Sequence, residues 1–110
     1  MNTFDFGIEV HTTSNPSSIS AGIFDNMILT GAGAGSIGIR TFTNINGSSI
    51  CAHINGNTVT PQATSGTNDI SISTSTSTAV INLDNNFNNV ASDIQINGNV
   101  NFVPPGTCGQ

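Results

Sequence analysis

The stretch IGIRTFTNINGSSICAHINGNTVTP, residues 37–61, decides the fold prediction because it holds two Asn-Gly pairs between runs of β-forming residues. Asn46-Gly47 and Asn55-Gly56 lie nine residues apart. Asn-Gly is typical of the two-residue type I′ turn, since both central residues of that turn need φ > 0. The stretch is therefore predicted to fold as an antiparallel meander of three strands.

Two-residue loops fix the register of this meander, so that Ile39 faces Ile54 and Arg40 faces His53. Because side chains alternate along a strand, each strand has a core side and an outer side. The core side is predicted to carry Ile37, Ile39, Thr41, Thr43, Ile45, Ile50, Ala52, Ile54 and Val59. The outer side carries Arg40, Phe42, Asn44, Ser49, Cys51, His53, Thr58 and Thr60, and either meets solvent or lies against a partner.

Composition points to one all-β domain. The chain has 110 residues, which is long enough for a core. It contains 14 Ile but only 2 Leu, and β-branched residues favour strands over helices. The predicted organisation is an N-terminal strand at residues 1–10, a β-sandwich core at 11–103 and a C-terminal tail at 104–110.

The regular spacing of short strands and turn signals favours an antiparallel β-sandwich of the jelly-roll or Greek-key type. A β-solenoid is the alternative, because an Ile-Asn-Gly motif recurs at Ile45, Ile54 and Ile96. The spacings of 9 and 42 residues between these motifs do not support a fixed repeat.

The N-terminal segment TFDFGIEV, residues 3–10, alternates apolar and polar residues and predicts a half-buried strand. Its apolar members are Phe4, Phe6, Ile8 and Val10. Two interpretations remain open. The strand either pairs within its own sheet or serves as an arm that inserts into a neighbouring subunit, as a donor strand does in a pilus.

Three further patterns give expectations about the remaining strands. Asp25-Asn26 is expected to split the β segment at 19–30 into two short strands. In DISISTSTSTAVINL, residues 69–83, the apolar parity switches near Ala79, which indicates a bulge or a change of sheet. Residues 90–103 predict a hairpin around Asn97-Gly98 that pairs Ile96 with Val100.

Charge excludes several classes of partner. Arg40 stands alone against six acidic residues, and the formal net charge is −5. Without a basic surface, neither nucleic acid nor an anionic membrane surface is an expected partner. No run of 18 apolar residues is present, so no membrane span is predicted. No signal peptide is visible at Met1, so we expect either that one was removed or that export proceeds without one.

The two cysteines, Cys51 and Cys108, are predicted to form a disulfide that ties the C-terminal tail to the central strand of the meander. Two free thiols or bonds between subunits are the alternatives. The absence of lysine and the scarcity of charge are typical of chains that persist outside cells, so we expect an extracellular or cell- or spore-surface location.

No motif predicts a cofactor or a metal. Gly33-x-Gly35-x-x-Gly38 matches a dinucleotide fingerprint, but strand and turn residues follow it where a helix would be needed. Asp84-x-Asn86-x-Asn88 begins like a calcium loop but lacks its later glycine and glutamate. His53 beside Cys51 reads as a strand histidine next to a structural cysteine. No enzyme is predicted.

The sequence therefore favours a structural, self-assembling subunit of an extracellular β-rich assembly, such as a surface fibre, pilus, spore appendage or particle coat. Its expected partners are copies of itself. Low charge supports this hypothesis, because it removes the repulsion that keeps monomers apart. A lectin-like carbohydrate-binding module is the alternative. An ice-binding surface, suggested by Thr74, Thr76 and Thr78 in one row, is the second alternative.

Overall fold

A computed structural model describes residues 6–29, 37–60, 68–91 and 93–109. Phe4 and the glycine-rich stretch at 30–36 lie outside these residues. The described residues are all-β, as predicted, and include no helix that is long and apolar enough to cross a bilayer. Their strands are β1 Phe6–His11, β2 Ser18–Phe24, β3 Met27–Leu29, β4 Ile37–Thr43, β5 Ser49–Asn55, β6 Thr58–Thr60, β7 Asn68–Thr74, β8 Val80–Asp84, β9 Ile94–Asn97 and β10 Val100–Val103.

All of these strands pair in parallel, so the predicted antiparallel sandwich is wrong. The first sheet has the order β1-β4-β7-β9, the second β10-β8-β5-β2 and the third β3-β6. Ile8 pairs with Ile39, which in turn pairs with Ile70, so the partner of a residue lies 31 positions further along the chain. The chain therefore visits the three sheets in turn and then returns to the first.

Each passage through the sheets is called a rung here. Rungs 1, 2, 3 and 4 comprise residues 6–29, 37–60, 68–91 and 94–103. The Ile-Asn-Gly motif that suggested a solenoid does not mark this period, because its spacings of 9 and 42 residues differ from 31.

The Asn-Gly pairs carry the chain from one sheet to the next and do not reverse it. Gly47 and Gly56 adopt φ of 80° and 76°, but Asn46 and Asn55 do not adopt positive φ. A type I′ turn needs positive φ at both positions, so these turns redirect the strand by less than a hairpin does. Asn97-Gly98 does the same between β9 and β10, so the predicted hairpin at 90–103 is also wrong.

The predicted division into a core side and an outer side is confirmed where burial is described. Ile39, Ile50 and Ile54 are fully buried, whereas Arg40 and Cys51 are only partly covered. Alternation along a strand does not depend on which strand lies beside it, so it survives the change from antiparallel to parallel pairing. The predicted facing of Arg40 and His53 does not survive, because β4 and β5 belong to different sheets.

Two further predictions are confirmed. Asp25-Asn26 separates β2 from β3, and Asp25 adopts φ of 55°, which suits a tight corner. The parity switch near Ala79 is a change of sheet, because β7 belongs to the first sheet and β8 to the second.

An asparagine ladder holds the corner between the second and third sheets. Asn57 is fully buried, and its Oδ1 accepts hydrogen bonds from the backbone N–H and the Nδ2 of Asn26, both at 3.0 Å. Its Nδ2 donates to Oδ1 of Asn89 at 2.9 Å and to the carbonyl of Ile23 at 2.9 Å. One side chain therefore joins rungs 1, 2 and 3.

The C-terminal tail folds back across the outer face of the second sheet. Gly106 N–H donates to Oδ2 of Asp84 at 2.9 Å, and Ser20 Oγ donates to the carbonyl of Cys108 at 2.6 Å. Cys108 forms the predicted intramolecular disulfide with Cys51 of β5. The tail thus runs from rung 4 past rung 3 and is fastened to rungs 2 and 1.

Replacing Asn57 by alanine is expected to lower the free energy of unfolding by about 2–4 kcal/mol, since each buried polar group left without a partner costs about 1–3 kcal/mol. Urea unfolding followed by circular dichroism measures this change. The control is Asn44→Ala at an exposed position, where we expect a change within about 0.5 kcal/mol. Equal effects of the two exchanges would contradict the role of the ladder.

Replacing Cys51 and Cys108 together by serine is expected to cost up to roughly 4 kcal/mol, because the disulfide closes a long loop in the unfolded chain. The two residues are separated by 57 positions. Wild-type protein unfolded in the presence of a reductant serves as the control and should match the double variant. A double variant as stable as the oxidised wild type would show that the tail contributes nothing.

Candidate functional site

The four residues predicted to mediate assembly lie at the start of the stack, as far as the structure describes them. Phe6 begins β1, and Ile8 and Val10 are half-buried against the core cluster. β1 pairs in parallel with β4 of the same chain, and Glu9 binds Arg40 across this pair. Residues 6–11 are therefore the first strand of their own sheet, and a role for them in assembly stays a prediction.

The first rung forms one end of the stack. β1, β2 and β3 are each the outermost strand of their sheet, so one edge of each has no neighbouring strand within the described ranges. Such an edge presents backbone N–H and C=O groups that another strand can pair with. The N-terminal end is thus open in all three sheets.

The fourth rung forms the opposite end, and there the apolar core reaches the surface. Ile94 and Ile96 continue the rows of Ile70 and Ile72. Ile70 and Ile72 are fully buried, but Ile94 and Ile96 are 38% and 36% exposed because no described strand lies beyond them. Phe102 continues the row of Leu83 in the second sheet and is 55% exposed. These three side chains form the C-terminal apolar face.

The tail does not cover this face. After Val103 the chain turns onto the outer side of the second sheet, where Cys108 is held by Cys51. Within the described residues, β9 and β10 keep one unpaired edge each. Neither IQIN of β9 nor VNFV of β10 contains a charged residue or a proline, the residues that usually protect an edge strand from association.

A second group of polar residues lies beneath the tail. Asp84 is fully buried, its Oδ1 accepts the backbone N–H of Asn86 at 2.9 Å, and its Oδ2 lies 3.7 Å from Nδ1 of His53. Phe24 packs edge-on against the His53 ring, with the ring centroids 4.6 Å apart. This arrangement positions the tail, because Asp84 also holds Gly106.

Several influences act on the Asp84 carboxyl. Burial disfavours its charged form, but the backbone N–H groups of Asn86 and Gly106 and a protonated His53 favour it, and together they lower the pKa of Asp84 below the ordinary 3.8. The charged carboxylate is therefore the form that fastens the tail.

Reactive chemistry finds little support among the described residues. Cys51 is committed to the disulfide, so the Cys51–His53 neighbourhood offers no thiolate. No group of three or more His, Cys, Asp or Glu side chains is placed to hold a metal ion in the described ranges. The arrangement that stands out is the pair of open ends, whose chemistry is that of strand pairing and apolar contact.

Asp84 is expected to make stability depend on acid. Because its folded pKa is lowered, its contribution is complete above the ordinary pKa and is lost as the pH falls through the folded value. Thermal unfolding between neutral pH and about pH 2 should therefore show a smaller acid-induced fall in Tm for Asp84→Asn than for the wild type. Asp25→Asn, which removes a carboxylate at an exposed corner, is the matched control. Parallel curves for Asp84→Asn and the wild type would contradict the assignment.

Comparison with known proteins adds no relative to this geometry. No protein-family model, no curated protein and no solved structure matches the chain.

Proposed function

We propose that this chain is a structural subunit that assembles with copies of itself into an extracellular β-rich assembly. The observation that carries the proposal is the C-terminal apolar face, where Ile94, Ile96 and Phe102 continue the buried rows of the core but remain exposed. Burial of apolar area is the main favourable term in protein association. A face built like the interior of the protein gains that energy when another molecule covers it.

The charge distribution supports association between identical molecules. The chain has no lysine, and its single arginine, Arg40, is engaged with Glu9 on the outer side of the first sheet. Repulsion between identical copies is therefore weak at the ends, where lysines would normally discourage edge-to-edge pairing.

The disulfide supports a location outside the reducing cytosol. Cys51 and Cys108 are bonded to each other, and such bonds persist in oxidising compartments. Only one Arg and no Lys occur in the chain, so trypsin-like proteases have one site, at Arg40. Both features suit a protein that has to remain folded at a cell or spore surface.

The two other functions considered gain no observation from the described residues. The threonine row required for ice binding does not form, because β7 ends at Thr74, which is buried, while Thr78 donates to Asn46 at a corner. A carbohydrate site usually offers a Trp or Tyr ring for stacking, and the sequence has neither.

The test compares Phe102→Asp with the wild type by analytical ultracentrifugation and negative-stain electron microscopy over a wide range of concentration. The wild type is expected to form particles far above 11.2 kDa. Because a charge placed in a desolvated contact costs at least about 1.4 kcal/mol, we expect Phe102→Asp to need at least about tenfold more protein for half-assembly.

Ser77→Asp is the matched control, since Ser77 is exposed in the corner between β7 and β8, away from the edge strands. It adds the same charge and should assemble like the wild type. A wild type that stays monomeric at every concentration, with and without the tail disulfide, would overturn the proposed function.

A further inference from the structure

The two ends of the stack match each other, and the match specifies how copies meet. Resting on the proposed function, we propose that copies stack head to tail, with the β9–β10 edge of one molecule pairing in parallel with the β1–β2 edge of the next. The occupant of the C-terminal apolar face is thus a second copy of this chain. Contacts of this kind join different surfaces and do not close after two molecules, so they extend into a filament.

Strand polarity fits this arrangement. Every described pairing is parallel, so all strands of one sheet run in the same direction. A copy translated along the stack presents β1 beside β9 and β2 beside β10 with that same direction. Pairing across the contact is then of the kind already present between rungs, and both molecules satisfy edge N–H and C=O groups at once.

Register fits at both sheets simultaneously. β9 aligns Ile94 with Ile70, and β10 aligns Val100 with Ile81. Ile70 and Ile81 are 11 residues apart, as are Ile8 and Ile19 of rung 1. Rung 1 of the next copy can therefore place Ile8 on Ile94 and Ile19 on Val100 together, as if it were the rung that follows.

Side chains are complementary in this register. Val10 would meet Ile96, and the small Ala21 would meet the large Phe102, which leaves room for the ring. On the outer side, Glu9 would lie beside Gln95 and His11 beside Asn97, so no like charges face each other. The apolar rows Ile8–Ile39–Ile70–Ile94 would run without a break from one molecule into the next.

The area of the end face is adequate for a stable contact. The molecule measures 36 × 27 × 17 Å along its principal axes. Four rungs about 4.8 Å apart span roughly 14 Å, so the short axis is the stacking direction. A face with axes of 36 and 27 Å covers roughly 760 Å², close to the roughly 800 Å² per partner of a stable interface.

A symmetric contact between two C-terminal ends uses these features less well. Turning one copy over reverses the order in which the three sheets follow one another around the stack. If the first sheets meet, the second sheet of one copy then faces the third sheet of the other, and the strands that do meet are antiparallel. Head-to-tail stacking keeps each sheet on its own counterpart.

Disulfide trapping tests the register. Glu9→Cys and Gln95→Cys proteins, one of them affinity-tagged, are mixed and oxidised with oxidised glutathione. Paired residues on adjacent strands lie within the roughly 4.4–6.8 Å between Cα atoms that a disulfide spans. We expect a covalent dimer containing one molecule of each variant, and at least about fivefold less of it when Asn97→Cys, two residues further along β9, replaces Gln95→Cys.

Each variant alone controls for exchange with the native disulfide and should give almost no covalent dimer. Covalent dimers of a single variant, in protein that still forms large particles, would overturn head-to-tail stacking and leave self-assembly standing. Equal trapping by Gln95→Cys and Asn97→Cys would overturn the register. Monomers throughout, with no covalent dimer, would overturn both this inference and the proposed function.

Discussion

Parallel pairing at a separation of 31 residues is the constraint on which the structure depends, and polar ladders at the corners hold it in place. Asn57 bonds to Asn26 on one side and Asn89 on the other, while Thr12 and Thr43 join hydroxyl to hydroxyl at 2.6 Å inside the first corner. A slip of one residue would leave these buried groups without partners and turn every isoleucine row outward.

Sequence reasoning predicted well whatever depends only on near neighbours. The inward placement of Ile39, Ile50 and Ile54 follows from alternation, and the corner at Asp25-Asn26 follows from turn chemistry. It failed at the identity of the neighbouring strand. Asn-Gly favours a glycine with positive φ, but that preference fits a corner between sheets as well as a hairpin, and local residues do not distinguish the two.

The signal that would have distinguished them is present at long range. When residues 6–29 are placed on residues 37–60, 10 of the 24 positions are identical, among them Ile8/Ile39 and Asn26/Asn57. The Ile-Asn-Gly motif drew attention to the wrong spacing. The candidate site was half predictable: the disulfide and the N-terminal strand were recognised, but Ile94, Ile96 and Phe102 were assigned to a closed hairpin, because their exposure follows only from their place in the last rung.

The tail gives the two ends of the stack different mechanical characters. In a stack of rungs, fraying begins at the ends, where each rung has one neighbour and not two. At the C-terminal end, the Cys51–Cys108 bond encloses rungs 3 and 4 in a covalent loop, so these rungs cannot peel away while rung 2 stays folded without remaining tethered to it. The N-terminal end has no covalent tie of this kind among the described residues. Local opening is therefore directional, and it starts from the first rung.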